Sequence, residues 1–292
     1  MAISFGGVLL FSGNFIKMAD YNNFIAGIGR IAPGGVLIHS DLRWGFPFEL
    51  QKGKEEEFLA EHCGALADLF GDIPIFMPAF NYHFLSQKRF DVQHSPSEVG
   101  VLTEYFRQHV AVFRTKDPVF SICGSAVTPY WSPIVANALV DPFGSDSFFQ
   151  YLYDSDSLLF HYGSELGHTT LLHFIERKLG EVPYRYDKIF EGCVWDGGDE
   201  ACIRYLYHVR PRDTHLGYAW GKIADDLMNA GIFMAYKNDR TALSYTGVRA
   251  MTDFLVEKLE RDPFYLLDEE STAWVIPAIR KLNRNLLLQD FE

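Results

Sequence analysis

The first chemistry visible in this chain of 292 residues is carried by His173 and Glu176, in the stretch LLFHYGSELGHTTLLHFIE, residues 158–176. On a helix, residues three apart share one face. A neutral histidine there can take a proton from a reacting group, and the carboxylate can orient its ring and stabilise the imidazolium. The same spacing is common in ordinary surface helix contacts, so the pair gains meaning only from the elements around it.

Those elements favour a site. Leu158-Leu159-Phe160-His161-Tyr162 reads as a buried strand, Gly163 and Gly167 break it, and Thr169 and Thr170 offer hydroxyls to cap a helix beginning at Leu171. Side chains at the carboxyl end of a buried strand project into a crevice in open α/β sheets. Upstream, Val36-Leu37-Ile38-His39 forms another apolar strand that runs into Ser40-Asp41-Leu42-Arg43-Trp44-Gly45, either a ligand-facing turn or a plain strand exit. The periodicity predicts helices over 21–31, 55–69, 97–108, 145–153, 216–229, 246–261 and a helical tail over 268–288. Strands are expected over 73–78, 119–124, 203–210 and 231–236, with 79–94 and 178–196 irregular. Strands alternating with helices predict an α/β fold. Its central sheet is mixed, partly parallel and flanked by helices, with a smaller antiparallel piece in the C-terminal half. No repeat or charged linker marks a boundary, so residues 1–292 are expected to form one compact unit, with 1–20 a marginal extension and Met18 an alternative start.

Composition narrows the function. Hydrophobic residues make up 48% and aromatics 15%, enough for a substantial core. The formal charge of −12 argues against nucleic acid, which requires a basic face, and suits an amine-bearing partner. Cys63, Cys123, Cys193 and Cys202 show no C-x-x-C spacing, which predicts free thiols in a reducing cytoplasm and no structural zinc. The apolar start lacks a basic n-region and is interrupted by Asn14 and Lys17, against both a signal peptide and a membrane span.

Taken in order, six blocks resemble the aminoglycoside 3-N-acetyltransferase family, acyl-coenzyme A dependent N-acyltransferases. GGVLIHSDL (34–42) is similar to the family's first strand and His-Ser-Ser-Leu turn, and MPAF (77–80) to its second strand end. SPSEVGVLTEYFR (95–107), FRTKDPVFSICGSA (113–126) and DPFGSDSFFQYL (141–152) resemble three further blocks. GSELGHTTLLHFIE (163–176) resembles the Gly…Asn-Thr-x-x-His-x-x-Glu block that holds the family's catalytic histidine. The chain departs from the family at Asp117, where a histidine is usual, at Ser40-Asp41 for Ser-Ser, at Ser147-Phe148 for Ser-Pro, and at Gly71-Asp72-Ile73 for Gly-Thr-Leu.

The resemblance implies transfer of an acyl group from a thioester, acetyl-CoA or another acyl-CoA, to an amino-sugar nitrogen. His173 would be the general base, Glu176 its orienting carboxylate, and Thr170 a hydrogen-bond partner of substrate or thioester oxygen. With no Ser-His pairing or activated cysteine evident, direct attack is expected rather than an acyl-enzyme. By the same resemblance His39, Ser40, Asp41, Leu42 and Arg43, with Arg114, Lys116 and Ser121, would border the coenzyme. Alternatively, Arg114 pairs with an acidic neighbour, Ser121 only bonds backbone, and His39 only packs the strand end.

Glu104, Tyr82 and His168 are the candidates for the acceptor side, while His161 is expected in a structural or substrate-edge role. Phe80-Asn81-Tyr82-His83-Phe84, with Lys88 and Arg89, could stack a base and hold phosphates. That favours a nucleotide-linked amino sugar of surface polysaccharide synthesis, with an aminoglycoside antibiotic as the alternative. A catalytically silent sugar- or CoA-binding homologue is the rival from another class, and a metal-dependent hydrolase lacks a third ligand. No metal, nucleic acid or membrane partner is expected, and a homodimer stays open.

Overall fold

The computed structural model describes residues 20–29, 33–130 and 135–291. Residues 1–19 of the expected extension, and Ile31 of the first expected helix, lie outside them. Among the described residues two sheets form.

The larger sheet is built outward from β1 (Val36–Ser40), whose first three residues are fully buried. It pairs in parallel with β2 (Ile75–Pro78) on one side and β7 (Leu158–Tyr162) on the other. Outside β7 run β11 (Ala242–Gly247) and β10 (Phe233–Lys237), both antiparallel. Outside β2 run β5 (Ile122–Gly124) and β4 (Phe113–Arg114), antiparallel again. The expected mixed sheet is therefore present, with its parallel strands at the centre, where both faces are covered.

Side chains alternate between faces along each strand. Leu37 and Leu159 join one core with Phe148 and Phe149 of α5 (Phe148–Asp154), Leu171 and Phe174 of α6 (Leu171–Leu179), and Met251 and Leu255 of α8 (Val248–Arg261). Val36, Ile38, Leu158 and Phe160 join the other. It is closed by α1 (Tyr21–Ile28), α2 (Glu55–Phe70) and α4 (Val101–His109). His39 and His161 keep the parity of Leu37 and Leu159. They stand opposite one another in the β1–β7 ladder, at the carboxyl ends of the two parallel strands.

The smaller sheet is a long antiparallel hairpin, β8 (Tyr186–Asp196) and β9 (Asp199–Val209), flanked by two short strands from the N-terminal half. β3 (Arg89–Asp91) pairs in parallel with β8, and β6 (Leu139–Val140) in parallel with β9. The expectation that 178–196 is irregular is corrected here. β8 carries charges and a glycine instead of a clean apolar alternation, and it is strand because β9 supplies its ladder. Gly197 and Gly198, at φ of +61° and +106°, make the two-residue turn that sets the register. That register puts Cys193 opposite Cys202 in a disulfide, correcting the expectation of free thiols for this pair, while Cys63 and Cys123 are free.

Two short helices, α3 (Phe84–Gln87) and α7 (Trp220–Asn229), and α9 (Glu269–Leu282) complete the chain. Several expected helices begin late: α4 starts after Gly100, α7 at Trp220, and α8 only after β11 has ended at Gly247. No helix of the described residues is long and apolar enough to cross a membrane.

The turns that leave β1 and β7 are pressed together. Gly163 has φ of +74°, and a Cβ there would lie 2.1 Å from the Asp41 carbonyl oxygen and 2.6 Å from the Gly45 nitrogen. Only glycine fits both the conformation and the gap. Gly163→Ala is expected to cost roughly 2–4 kcal/mol. Urea unfolding measures it, and an unchanged midpoint would show that the two turns are not in contact.

Candidate active site

A cleft of about 510 Å³ opens where the turns after β1 and β7 meet the start of α4. One wall is the turn His39, Ser40, Asp41, Leu42, Arg43; the other sides include Tyr82, Thr103, Ser164, His168 and Thr170. The structure thus brings together the whole predicted coenzyme turn, the predicted Tyr82 and His168, and Thr170. Arg43, the exposed cation of this turn, is held by Asp41 through Nε at 3.0 Å.

Beneath the cleft lie two buried histidines. The His39 and His161 rings stack at 5.8 Å, and His161 Nε2 meets the Thr169 hydroxyl at 2.9 Å. Burial pushes the His39 pKa down to about 3 and that of His161 well below the usual range, so both are neutral. His39 Nε2 has no partner within the protein and belongs to a residue that lines the cleft. The Thr169 hydroxyl is committed to His161, and Thr170 makes no cap bond, so the expected hydroxyl cap of α6 is absent.

Three expected site residues lie elsewhere. Arg114 donates through Nε to Ser121 Oγ at 3.0 Å, through Nη1 to the Val92 and Ser95 carbonyls, and through Nη2 to the Ala79 carbonyl at 2.6 Å. Its guanidinium also covers the Phe90 ring at 4.7 Å. With these donors spent on its own chain, Arg114 is an internal strut, which corrects its expected role at a coenzyme phosphate. The Ser121 hydroxyl bonds the Ala79 carbonyl at 2.6 Å and is fully buried, and Lys116 pairs with Asp196 at 2.7 Å. Glu104, expected at the acceptor, accepts from the Ser97 amide at 2.7 Å and from Arg107 Nε at 2.8 Å, pinning the first turn of α4. Its neighbour Thr103 lines the cleft instead.

One turn of α6 beyond Thr170, roughly 5 Å along the axis, stand His173 and Glu176. His173 Nδ1 lies 3.2 Å from Glu176 Oε2. Glu176 is fully buried while the His173 side chain keeps 25% exposure, so the ring, and not the carboxylate, is open to a reactant. Glu176 Oε1 accepts from the Tyr184 hydroxyl at 2.9 Å and the Tyr218 hydroxyl at 2.8 Å. Arg185 Nε lies 3.1 Å from Oε2, and Arg185 Nη2 donates to the Tyr218 hydroxyl at 2.7 Å.

Burial alone would raise the Glu176 pKa, but the Arg185 guanidinium and its hydrogen-bond donors hold it well below the usual carboxylate range. Burial pushes the His173 pKa down to about 4, and the Arg185 cation adds to this against the pull of Glu176. His173 is therefore neutral near pH 7. Ionised Glu176 can only accept, so the Nδ1 facing it carries the hydrogen and Nε2 keeps its lone pair. That is the form of a general base.

The sequence reading missed Tyr184, Arg185, Tyr218 and His208 around Glu176. They come from three separate segments, so no spacing reveals them. The one available signal is Arg185 flanked by tyrosines in Pro-Tyr-Arg-Tyr, a cation set in an apolar stretch.

The model of the aminoglycoside 3-N-acetyltransferase family matches residues 75–260. Among solved structures, the apoenzyme of aminoglycoside acetyltransferase AAC(3)-IVa is 20% identical, with a TM-score of 0.61 over 89% of this chain and 94% of that one. The same protein has also been solved with apramycin and with a gentamicin. AAC-IIIb with CoASH is 18% identical, with a TM-score of 0.59 over 84% of this chain and 97% of that one. YokD from Bacillus subtilis is 15% identical, with a TM-score of 0.58 over 82% of this chain and 93% of that one. These likenesses show the shared fold. No curated protein sequence matches the chain.

The neutral histidines give a pH dependence of stability. His39 and His161 have lowered pKa values in the folded state, so their contribution is fully present above about pH 6.5, the unfolded value, and is lost as pH falls below it. At pH 5 each costs about 2 kcal/mol, while Asp117, raised by burial to about 6, gains about 1 kcal/mol in the opposite direction. A net loss of several kcal/mol between pH 7.5 and pH 5 is expected from urea unfolding. Equal midpoints at the two pH values would refute the neutral pair.

Proposed function

We propose the function from one premise: the chain belongs to the aminoglycoside 3-N-acetyltransferase family and is an acyl-CoA-dependent N-acyltransferase. In the proposed reaction the acyl-CoA thioester lies in the first cleft and an amino group of an amino sugar attacks it directly, with His173 as base. AAC-IIIb with CoASH and AAC(3)-IVa with aminoglycosides support this pairing of substrates.

The observation that carries the reading is the buried Glu176, whose partners fix His173 as a neutral ring with its Nε2 lone pair available. The amine nitrogen bonds to the thioester carbonyl carbon while its proton passes to His173 Nε2. A base held near pKa 4 is too weak to deprotonate an ammonium beforehand. It takes the proton as the C–N bond forms and the nitrogen turns acidic, so the acceptor must arrive as the free amine. The Thr170 hydroxyl and the first amides of α6 are placed to stabilise the oxyanion. Collapse breaks the C–S bond, and the imidazolium returns its proton to the departing thiolate.

The acceptor is proposed to be an aminoglycoside-type amino sugar. The residues that favoured a nucleotide-linked sugar are engaged elsewhere. Phe80 and Phe84 are in the core, and Lys88 and Arg89 lie over the rings of Phe190 and Trp195, both at 4.4 Å. Only Tyr82 of that loop lines the cleft while retaining substantial exposure. The charge of −12 suits a polycation.

Thiol release from acetyl-CoA, followed with panels of aminoglycosides and of nucleotide-linked amino sugars, tests both points. His173→Ala is expected to lower kcat/KM by more than about a hundredfold. Full activity in that variant would overturn the mechanism, and turnover confined to nucleotide-linked sugars would overturn the acceptor.

A further inference from the structure

Glu176 has a second histidine on its far side. His208 of β9 stands opposite Asp187 of β8, and its Nδ1 lies 3.0 Å from Asp187 Oδ1. Asp187 is clamped by both Nη atoms of Arg177, at 2.9 and 2.8 Å. The other ring nitrogen, Nε2, lies 3.5 Å from Glu176 Oε2, the same oxygen that His173 Nδ1 approaches at 3.2 Å. The two imidazole centroids are 6.3 Å apart. The acyl-transfer steps above make no use of His208.

The groups facing His208 are Asp187, Glu176, Arg177, His173 and Arg185, with the Tyr184 and Tyr218 hydroxyls on the other Glu176 oxygen. Asp187 and Glu176, when ionised, offer only acceptors. Asp187 therefore requires a hydrogen on Nδ1 of His208. The state of Nε2 then decides what Glu176 meets. A proton there makes His208 an imidazolium that shares the carboxylate with His173 and repels positive charge on it. Without that proton the Nε2 lone pair faces Glu176, and the carboxylate is left to His173 and Arg185. A cleft of about 550 Å³, lined by His208, Asp187 and Arg185 and walled by residues 285–289, brings water to this couple.

We propose that His208 is a positioning residue that competes with His173 for the shared carboxylate of Glu176, so that the proton on His208 sets how readily His173 accepts one. The inference rests on His173 being the base. Protonated His208 weakens that base; neutral His208 strengthens it.

The test is the ratio of variant to wild-type kcat/KM across pH 5.5–9 with acetyl-CoA and one aminoglycoside, in which the acceptor's own ionisation cancels. His208→Phe is expected to be about three- to tenfold more active than wild type at the acid end and to converge with it at the alkaline end. The step in the ratio should fall where the His208 ring titrates by NMR. Asp187→Asn, which removes the anion at Nδ1, should move that step to lower pH, and it decides the matter if His208→Phe does not fold. A flat ratio for His208→Phe, or an unmoved step for Asp187→Asn, overturns the proposal. His173→Ala run alongside separates the failures: if that variant keeps its activity, the base assignment itself has fallen.

Discussion

Burying the charge of Glu176 is the constraint on which the site depends. A carboxylate removed from water costs several kcal/mol unless it is paired and hydrogen-bonded. Here the pairing draws on three parts of the chain at once. α6 supplies Glu176 itself, the segment entering β8 supplies Tyr184 and Arg185, and the segment entering α7 supplies Tyr218. None of these contacts forms unless the smaller sheet is docked against the helix layer of the larger one. The reactive tautomer of His173 is thus a readout of tertiary structure. It also follows that Glu176 does less to strengthen its histidine than a lone carboxylate would, because Arg185 neutralises most of its charge. Its main effect on His173 is orientation.

The parallel centre of the larger sheet supplies the other half of the arrangement. Parallel register at β1 and β7 places His39 beside His161 at the strand ends, and the close approach at Gly163 keeps the two exit turns together. The cleft therefore has a floor of neutral rings and a rim of backbone turns, with the polar atom of His39 uncommitted. α6 leads from this cleft at Thr170 to the second cleft at Arg177, with the histidine–carboxylate pair between them. One helix face thus carries the whole sequence of events.

Much of this was legible in the residues. The β1 and β7 strands declare themselves by apolar runs ending in small polar residues. The His173–Glu176 pair shows by spacing alone, and the ordered blocks identified the family that the 75–260 match bears out. What stayed hidden was long-range. Arg114 looks the same in sequence whether its donors face a phosphate or its own backbone. The Cys193–Cys202 pairing requires the register of a hairpin whose first strand lacks alternation. Thr169 and Thr170 look like interchangeable caps until His161 takes the first. In each case the deciding partner lies on another element.

The Arg114 strut has a further consequence. Its partners at Ala79, Val92 and Ser95 are carbonyl oxygens, which every residue type possesses. The course of the loop between β2 and α4 is therefore fastened independently of the side chains it displays. Tyr82 and its neighbours can be exchanged without loosening the frame that presents them. A scaffold pinned through its main chain lets recognition diversify while the catalytic centre stays where it is, which is how one fold can serve acceptors of differing shape.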